Sequence, residues 1–231
     1  MKNLNTILMV GAITAACGLA EAGVIAGWDF NGVTGYGVSP FTVTESDVNS
    51  TIGGLTRGSG FGTTGTAASN AWGGTSVAAR ATLTDAVNAS QTILFTVAAK
   101  TGYTLNLSSI GAYNVRRSST GAASGQWQYS INGGTFTNIG STLSFSGTTS
   151  SGNSMSAIDL SAISALQGIA SGSTVSVRLV AYANSGAGTF YFLNTVTGSD
   201  LTINGTLTAV PAPGAAALVG LAGLITTRRR K

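Results

Sequence analysis

The sequence predicts an all-β fold, an antiparallel β-sandwich of jelly-roll type, and three observations carry that expectation. Short segments rich in Val, Ile, Thr, Tyr and Phe recur along the chain with Gly and Asn turns between them. Several of these segments alternate apolar and polar residues with the period of two that a half-buried strand needs. Only 8% of residues are charged while 33 are glycine, a composition that cannot build the charged, amphipathic faces of a helix bundle.

The first strand is read at Val24–Phe30, closed by an Asn31-Gly32 turn. From Gly53 to Gly74 the chain is mostly Gly, Thr and Ser with few apolar anchors, and reads as a long surface loop. Strands follow at Gln91–Ala98, Tyr103–Leu107, Gly111–Arg116, Gln126–Ile131, Thr174–Ala183, Phe190–Val196 and Asp200–Leu207. Tyr129 to Phe136 reads as a hairpin with Asn132-Gly133 at its turn. The segment from Ser173 to Ala181 alternates most clearly, with Ser173, Val175, Val177, Leu179 and Ala181 on one face and Thr174, Ser176, Arg178 and Val180 on the other. One short helix is expected at Leu160–Ile169, with Ser and Asp before it and Gly172 after. Long excursions between strands favour a jelly roll over an up-and-down barrel, and no internal repeat points to a solenoid or propeller.

Three parts are expected: a signal peptide at 1–22, the sandwich domain at 23–208 and a C-terminal tail at 209–231. Lys2 gives the positive start, Ile7–Ala16 a short apolar run, and Ala20-Glu21-Ala22 the small residues a signal peptidase reads before Gly23. Lipidation at Cys17 is the alternative, although Thr14 stands where a large aliphatic is preferred. In the tail, Val210-Pro211-Ala212-Pro213-Gly214 precedes an apolar run to Ile225, then Arg228, Arg229, Arg230 and Lys231. A helix from Gly214 to Thr227 would span about 21 Å, short of the roughly 30 Å hydrocarbon core. A short transmembrane helix with a basic cytoplasmic stop therefore reads as a processing signal, with a plain single-span anchor as the alternative.

The tail resembles the sorting signal of PEP-CTERM proteins, with Pro211 and Pro213 in the two proline positions and Arg228–Arg230 as the basic stop. It departs from that pattern at Ala212, where the family has glutamate. The resemblance covers about 22 residues and implies recognition by an exosortase-like membrane enzyme, cleavage, and delivery to the cell surface or extracellular matrix. Within the body, Ala26-Gly27-Trp28-Asp29-Phe30-Asn31, Tyr113-Asn114-Val115-Arg116-Arg117-Ser118 and Tyr129-Ser130-Ile131-Asn132-Gly133-Gly134 resemble domains that carry such tails. Those domains are similar to jelly-roll sandwiches related in shape to carbohydrate-binding modules.

Composition excludes several chemistries. Histidine is absent and Cys17 is the only cysteine, which rules out Ser-His-Asp and Cys-His catalysis and any imidazole or thiolate metal site in the body. Between the two ends stand six basic and six acidic residues, a neutral balance with no footprint for nucleic acid. The acids are Asp29, Glu45, Asp47, Asp85, Asp159 and Asp200; Asp85 and Asp159 fall in turn or cap contexts, and Lys100, the one body lysine, precedes a Thr101-Gly102 turn. No cofactor is expected. If a metal binds, it is structural calcium, with Asp29 and Asp200 as candidates because a jelly roll brings its first and last strands together. For a sugar, Trp72 in Asn70-Ala71-Trp72-Gly73-Gly74 is the aromatic residue placed to lie on a loop. Arg116 and Arg117 are adjacent, so a strand would point them to opposite faces.

The expected function is that of an exported, non-enzymatic surface or extracellular-matrix protein of a Gram-negative-type bacterium, held transiently at the inner membrane. Its expected partners are signal peptidase, the sorting enzyme, the membrane through the tail, and extracellular polysaccharide. A carbohydrate-binding or adhesion module is the first alternative, and a glycan-acting enzyme with two acids across a cleft the second.

Overall fold

A computed structural model describes residues 22–211 of the chain. Sixteen strands run in the order β1 Gly23–Trp28, β2 Glu45–Ser46, β3 Ser50–Arg57, β4 Phe61–Gly62, β5 Ala71–Ser76, β6 Thr92–Ala99, β7 Tyr103–Ile110, β8 Tyr113–Arg117, β9 Ser124–Ile131, β10 Thr137–Ser144, β11 Asn153–Met155, β12 Ile158–Asp159, β13 Ile169–Ala170, β14 Thr174–Tyr182, β15 Thr189–Leu193 and β16 Leu201–Ala209. Among the described residues helix is confined to α1, Leu83–Asn88, and a single 3-10 turn at Ser164–Leu166. The fold is all-β and consistent with a β-sandwich. All pairings are antiparallel.

The strands form three sheets. Sheet I has the order β12-β7-β16-β1-β2, with β13 also paired to β7; sheet II runs β10-β9-β14-β6-β3 and sheet III β11-β8-β15-β5-β4. Position by position, each strand of sheet III is the chain neighbour of the strand in the same place in sheet II. Sheets II and III are therefore one five-stranded surface folded along a crease, which sheet I faces. Backbone bonds continue through the crease: Ser118 N–H donates to Thr189 O at 3.1 Å, Ser185 N–H to Thr120 O at 3.2 Å and Ser76 N–H to Gly188 O at 2.8 Å. Such a fold needs main chains closer than side chains allow. A Cβ on Gly188 would fall against the backbone of Thr120 and Gly121, and one on Gly121 against Thr189 O.

The core fills the angle between the sheets with a circuit of aromatic rings. Trp28 meets Phe95 at 4.8 Å between centroids, Phe95 meets Trp127 at 6.4 Å, and Trp127 meets Tyr113 at 5.9 Å. Tyr113 then meets Phe192 at 5.6 Å and Phe192 meets Phe30 at 6.0 Å, two residues beyond Trp28. The circuit touches all three sheets, and each ring pair contributes about 0.5–1.5 kcal/mol beyond its buried area. Trp127 Nε1–H donates to Tyr113 Oη at 2.8 Å, so the polar edges of both rings are satisfied inside the core.

Most expected strands are present within one to three residues, and the alternation of β14 holds: Val175, Val177, Leu179 and Ala181 are buried in the core. The loop reading of Gly53–Gly74 is corrected, since β3 continues through Gly53 and Gly54 and β4 and β5 lie in the same stretch. Its glycines are there because neighbours press on them. A Cβ on Gly53 would strike Thr96, and one on Gly73 would strike Phe190 and Tyr191. The helix read at Leu160–Ile169 is also corrected to the single turn Ser164–Leu166. On either side of that turn β12 and β13 pair with the same edge of β7, and the Gln167 side chain donates to Leu107 O at 2.9 Å. Edge pairing outweighs the local helix propensity there. Helix α1 has no counterpart in the sequence reading; Thr82 caps it, accepting from Asp85 N–H at 3.1 Å.

Two measurements test this architecture. Gly188→Ala should lower stability by about 1–3 kcal/mol through forced main-chain movement, whereas Gly186→Ala, with nothing within 4 Å of the added carbon, should stay within about 0.5 kcal/mol in the same denaturant titration. Alkaline unfolding tests the core. Burial raises the Tyr113 phenol above its ordinary value, with the Trp127 bond opposing, and burial does the same to Tyr191. A raised folded value means the stabilisation is whole below the unfolded pKa of about 10 and is lost as pH climbs above it. Unfolding free energy should therefore decline above about pH 10, less steeply in Tyr113→Phe.

Candidate functional site

The first and last strands lie side by side, and this brings the two ends of the domain together. β1 pairs with β16 from Gly23↔Gly205 to Trp28↔Leu201. Gly23, which follows the expected leader cleavage, thus enters at the end of sheet I where β16 leaves. The exit is anchored: Val210 N–H donates to Gly102 O at 2.7 Å, and Val210 and Pro211 border a cavity of about 460 Å³ with Tyr103, Thr104 and Ala170. Val210 is 51% exposed and Pro211 is exposed as well. Ala20, Cys17, Ala212, Pro213, Gly214 and the basic stop Arg228–Lys231 lie outside the described residues. No helix among the described residues is long and apolar enough to cross a membrane.

Asp29 and Asp200 are brought to the same end of the domain, where each accepts hydrogen bonds from neighbouring amides. Asp200, 3% exposed, accepts Phe30 N–H on Oδ2 at 2.9 Å and Thr195 N–H on Oδ1 at 2.8 Å, while its own amide donates to Trp28 O at 2.8 Å. Asp29 Oδ1 accepts from Asn31 N–H at 2.8 Å and from Asn194 Nδ2 at 3.1 Å. Both carboxylates serve as acceptors that close loops onto the sheet, a role that competes with metal ligation. Among the described residues no three acidic, histidine or cysteine side chains cluster together. The other acids are held likewise: Asp47 by Asn49 N–H, Asp85 by Thr82, Asp159 by Ser161 N–H and Glu45 by Ser199 Oγ.

Trp72 is not on a loop. It lies in β5 and is fully buried, its Nε1–H donates to Val38 O at 2.7 Å, and the Arg57 guanidinium stands 5.0 Å from its ring. Its indole is thus unavailable as a stacking platform for sugar. The loop reading fails because Gly73 and Gly74 mark close main-chain approach within a sheet rather than a turn. Arg57 itself is committed to carbonyls, donating to Tyr36 O, Gly73 O and Gly37 O at 2.7 Å each. Arg117 likewise gathers Phe145 O, Ser118 O and Gly121 O at the crease. Arg116 points the other way, beside Tyr191 in a cavity of about 250 Å³ with Thr66 and Ala68.

The outward face of sheet II holds a polar arrangement that site-by-site reading of the sequence misses. Register places Asn138, Gln128, Arg178 and Leu94 in one row across β10, β9, β14 and β6. Arg178 Nε–H donates to Gln128 Oε1 at 2.8 Å, and Gln128 Nε2 donates to Asn138 Oδ1 at 2.8 Å. In the next row on this face Gln126, opposite Val180, donates from Nε2 to Ile139 O at 2.9 Å, and in the row beyond it Tyr182, opposite Ser124, donates from Oη to Thr142 Oγ1 at 3.2 Å. The alternation of β14 places Arg178 outward, and this is the signal the sequence offers. The partners across β9 and β10 can be known only with the register in hand.

Replacing Asp200 by Asn turns an amide donor toward the amides of Phe30 and Thr195 and should destabilise the fold by about 1–3 kcal/mol. The thermal midpoint of the unaltered protein should be the same with a chelator as with excess calcium. A midpoint that calcium raises would assign Asp29 and Asp200 as ligands.

Compared with known proteins, the chain matches no family model, no curated protein and no solved structure.

Proposed function

We propose that this chain is an exported, non-enzymatic surface or extracellular-matrix protein, a jelly-roll sandwich routed by a leader and by a C-terminal sorting tail of the PEP-CTERM type. One observation supports the reading: the two ends of the described domain leave from the same end of sheet I, with Gly23 opposite Gly205 and Val210 pinned to Gly102 O just beyond β16. Ala209 lies four residues on from Gly205, about 13 Å at the rise of an antiparallel strand. A domain so built can face the membrane with one pole while both ends are processed, and neither cut touches the core. The exposed Pro211 supports access by a sorting enzyme, and the long crossings between sheets support the jelly-roll arrangement.

A second reading, a carbohydrate-binding or adhesion module on the cell surface, is favoured by the polar rows on the outward face of sheet II. It is compatible with the first, because sorting determines where the domain is delivered and the rows bear on what it holds there. A glycan-acting enzyme is the least supported reading, since each body acid already accepts hydrogen bonds from amides or hydroxyls.

Intact mass of the protein recovered from cells and medium tests the first reading. The expected product begins at Gly23, ends between Pro211 and Gly214, and is free of the inner membrane. A membrane-bound product that keeps Arg228–Lys231 would replace sorting with a single-span anchor.

A further inference from the structure

We propose that Arg178 is the anion-binding centre of a glycan site on the outward face of sheet II, and that the ligand is a polysaccharide bearing uronic-acid carboxylates. The proposal rests on the carbohydrate-binding reading and assigns it a place and a ligand chemistry. Arg178 projects from the middle of β14 into a cavity of about 350 Å³, walled by α1 through Leu83, Thr84 and Val87 and by the β9–β10 hairpin through Thr135 and Phe136. That volume lies at the small end of ligand pockets, about 300 Å³ upward, and suits one sugar unit of a longer chain.

The guanidinium is fixed before any ligand arrives. Its carbon stands 3.6 Å from the centroid of the Phe136 ring, and Nε–H is committed to Gln128 Oε1 at 2.8 Å. Gln128 is in turn held by Asn138, so the plane of the guanidinium is set by a stacked ring on one side and a relay of amides along the other. The two terminal amines have no acceptor among the described residues. With Nε occupied, they form the end-on fork that matches the two oxygens of a carboxylate. The group is half-buried, and burial lowers its pKa, so it holds a charge that water solvates incompletely. An incoming carboxylate would replace the missing solvation.

Arg178 differs from the other cations in this preparation. Arg57 donates through both terminal nitrogens and Arg117 through all three nitrogens to main-chain carbonyls, Arg80 Nη1 donates to Ala79 O, and Lys100 Nζ donates to Val48 O. Arg116 opens into its own cavity but has no side chain orienting it as Gln128 orients Arg178. The walls also favour a sugar over a peptide side chain. Leu83, Val87 and the Phe136 ring offer an apolar surface to the C–H face of a pyranose, while Thr84 and Thr135 contribute hydroxyl groups to the lining.

The test is calorimetric titration of the full-length chain in mild detergent with three probes: a short oligogalacturonate, a neutral malto-oligosaccharide of equal length, and polyglutamate. Oligogalacturonate should bind, and added salt should weaken it. Arg178→Gln should cost about tenfold or more in affinity, and Arg178→Lys nearly as much because it keeps the charge but loses the fork. Phe136→Leu should cost about threefold. Arg116→Gln should change nothing. Each variant's thermal midpoint reports its folding, and Arg178→Lys and Phe136→Leu decide the matter if Arg178→Gln does not fold. Unchanged affinity in folded Arg178 variants, or polyglutamate binding as tightly as the uronate, would overturn the proposal. Equal binding of the neutral sugar would overturn the acid assignment while leaving a carbohydrate module standing. Binding of none of the probes would sink both, and none of these outcomes bears on the tail-processing result.

Discussion

The sharp fold between sheets II and III is the constraint on which the rest of the structure depends. Five chain segments cross that crease in the same order, and they can do so only where main chain meets main chain, as Gly188 does against Thr120 and Gly121. Because the surface is bent, Trp127 of sheet II and Tyr113 and Phe192 of sheet III converge on Trp28 and Phe30. A flat sheet would keep those rings on separate patches of one face. The bend joins them into one chain of ring contacts from Trp28 to Phe30, and sheet I then has a concave apolar surface to cover. The same geometry answers how a charge-poor domain without disulfides holds together: it relies on shape and aromatic burial rather than on ion pairs or cross-links.

Polar groups near the crease follow the same rule. Gln91, fully buried, donates to Ala181 O at 2.6 Å and to Asn184 Oδ1 at 3.0 Å, and Asn184 donates in turn to Ala78 O and Gly186 O. Arg117 collects carbonyls from both flanks. Where a ladder must break to turn a corner, its orphaned carbonyls are met by side-chain amides and a guanidinium, because a buried unpaired carbonyl is expensive. Carbonyl capping by arginine uses no carboxylate. This leaves the few acids free for loop closure, as Asp200 shows between Phe30 and Thr195.

Much of the fold is legible in the sequence because the central strands are half-buried and alternate. β14 is the clearest example, with its core face read correctly from Val175 to Ala181. What cannot be read is any strand whose residues serve close approach instead of burial. β3 and β5 carry Gly53, Gly54, Gly73 and Gly74, and in a linear reading such glycines look like turns. The error carries through to the site, since it puts Trp72 on an imagined loop when it is a buried strand residue under Arg57. Asp29 and Asp200 are rightly expected near each other, because the first and last strands do pair. Their chemistry is hidden because the amides that engage them belong to Asn31, Thr195 and Phe30, whose directions depend on backbone geometry.

The distribution of arginine side chains also bears on function. An arginine whose terminal donors meet main-chain carbonyls is part of the scaffold, and removing it would expose those carbonyls inside the protein. Arg57 and Arg117 belong to that class. Arg178 is fixed as firmly, by the Phe136 ring and Gln128, yet its outer donors are left open toward a cavity. Immobilising a cation without neutralising it adds little to the stability of an isolated domain, since half-burial costs hydration and the ring and the amide offset only part of it. The arrangement is favourable as a whole once an anion completes it. In a neutral domain with few charges, one prepared cation can set the sign and geometry of what the face accepts without drawing the molecule to every polyanion it meets.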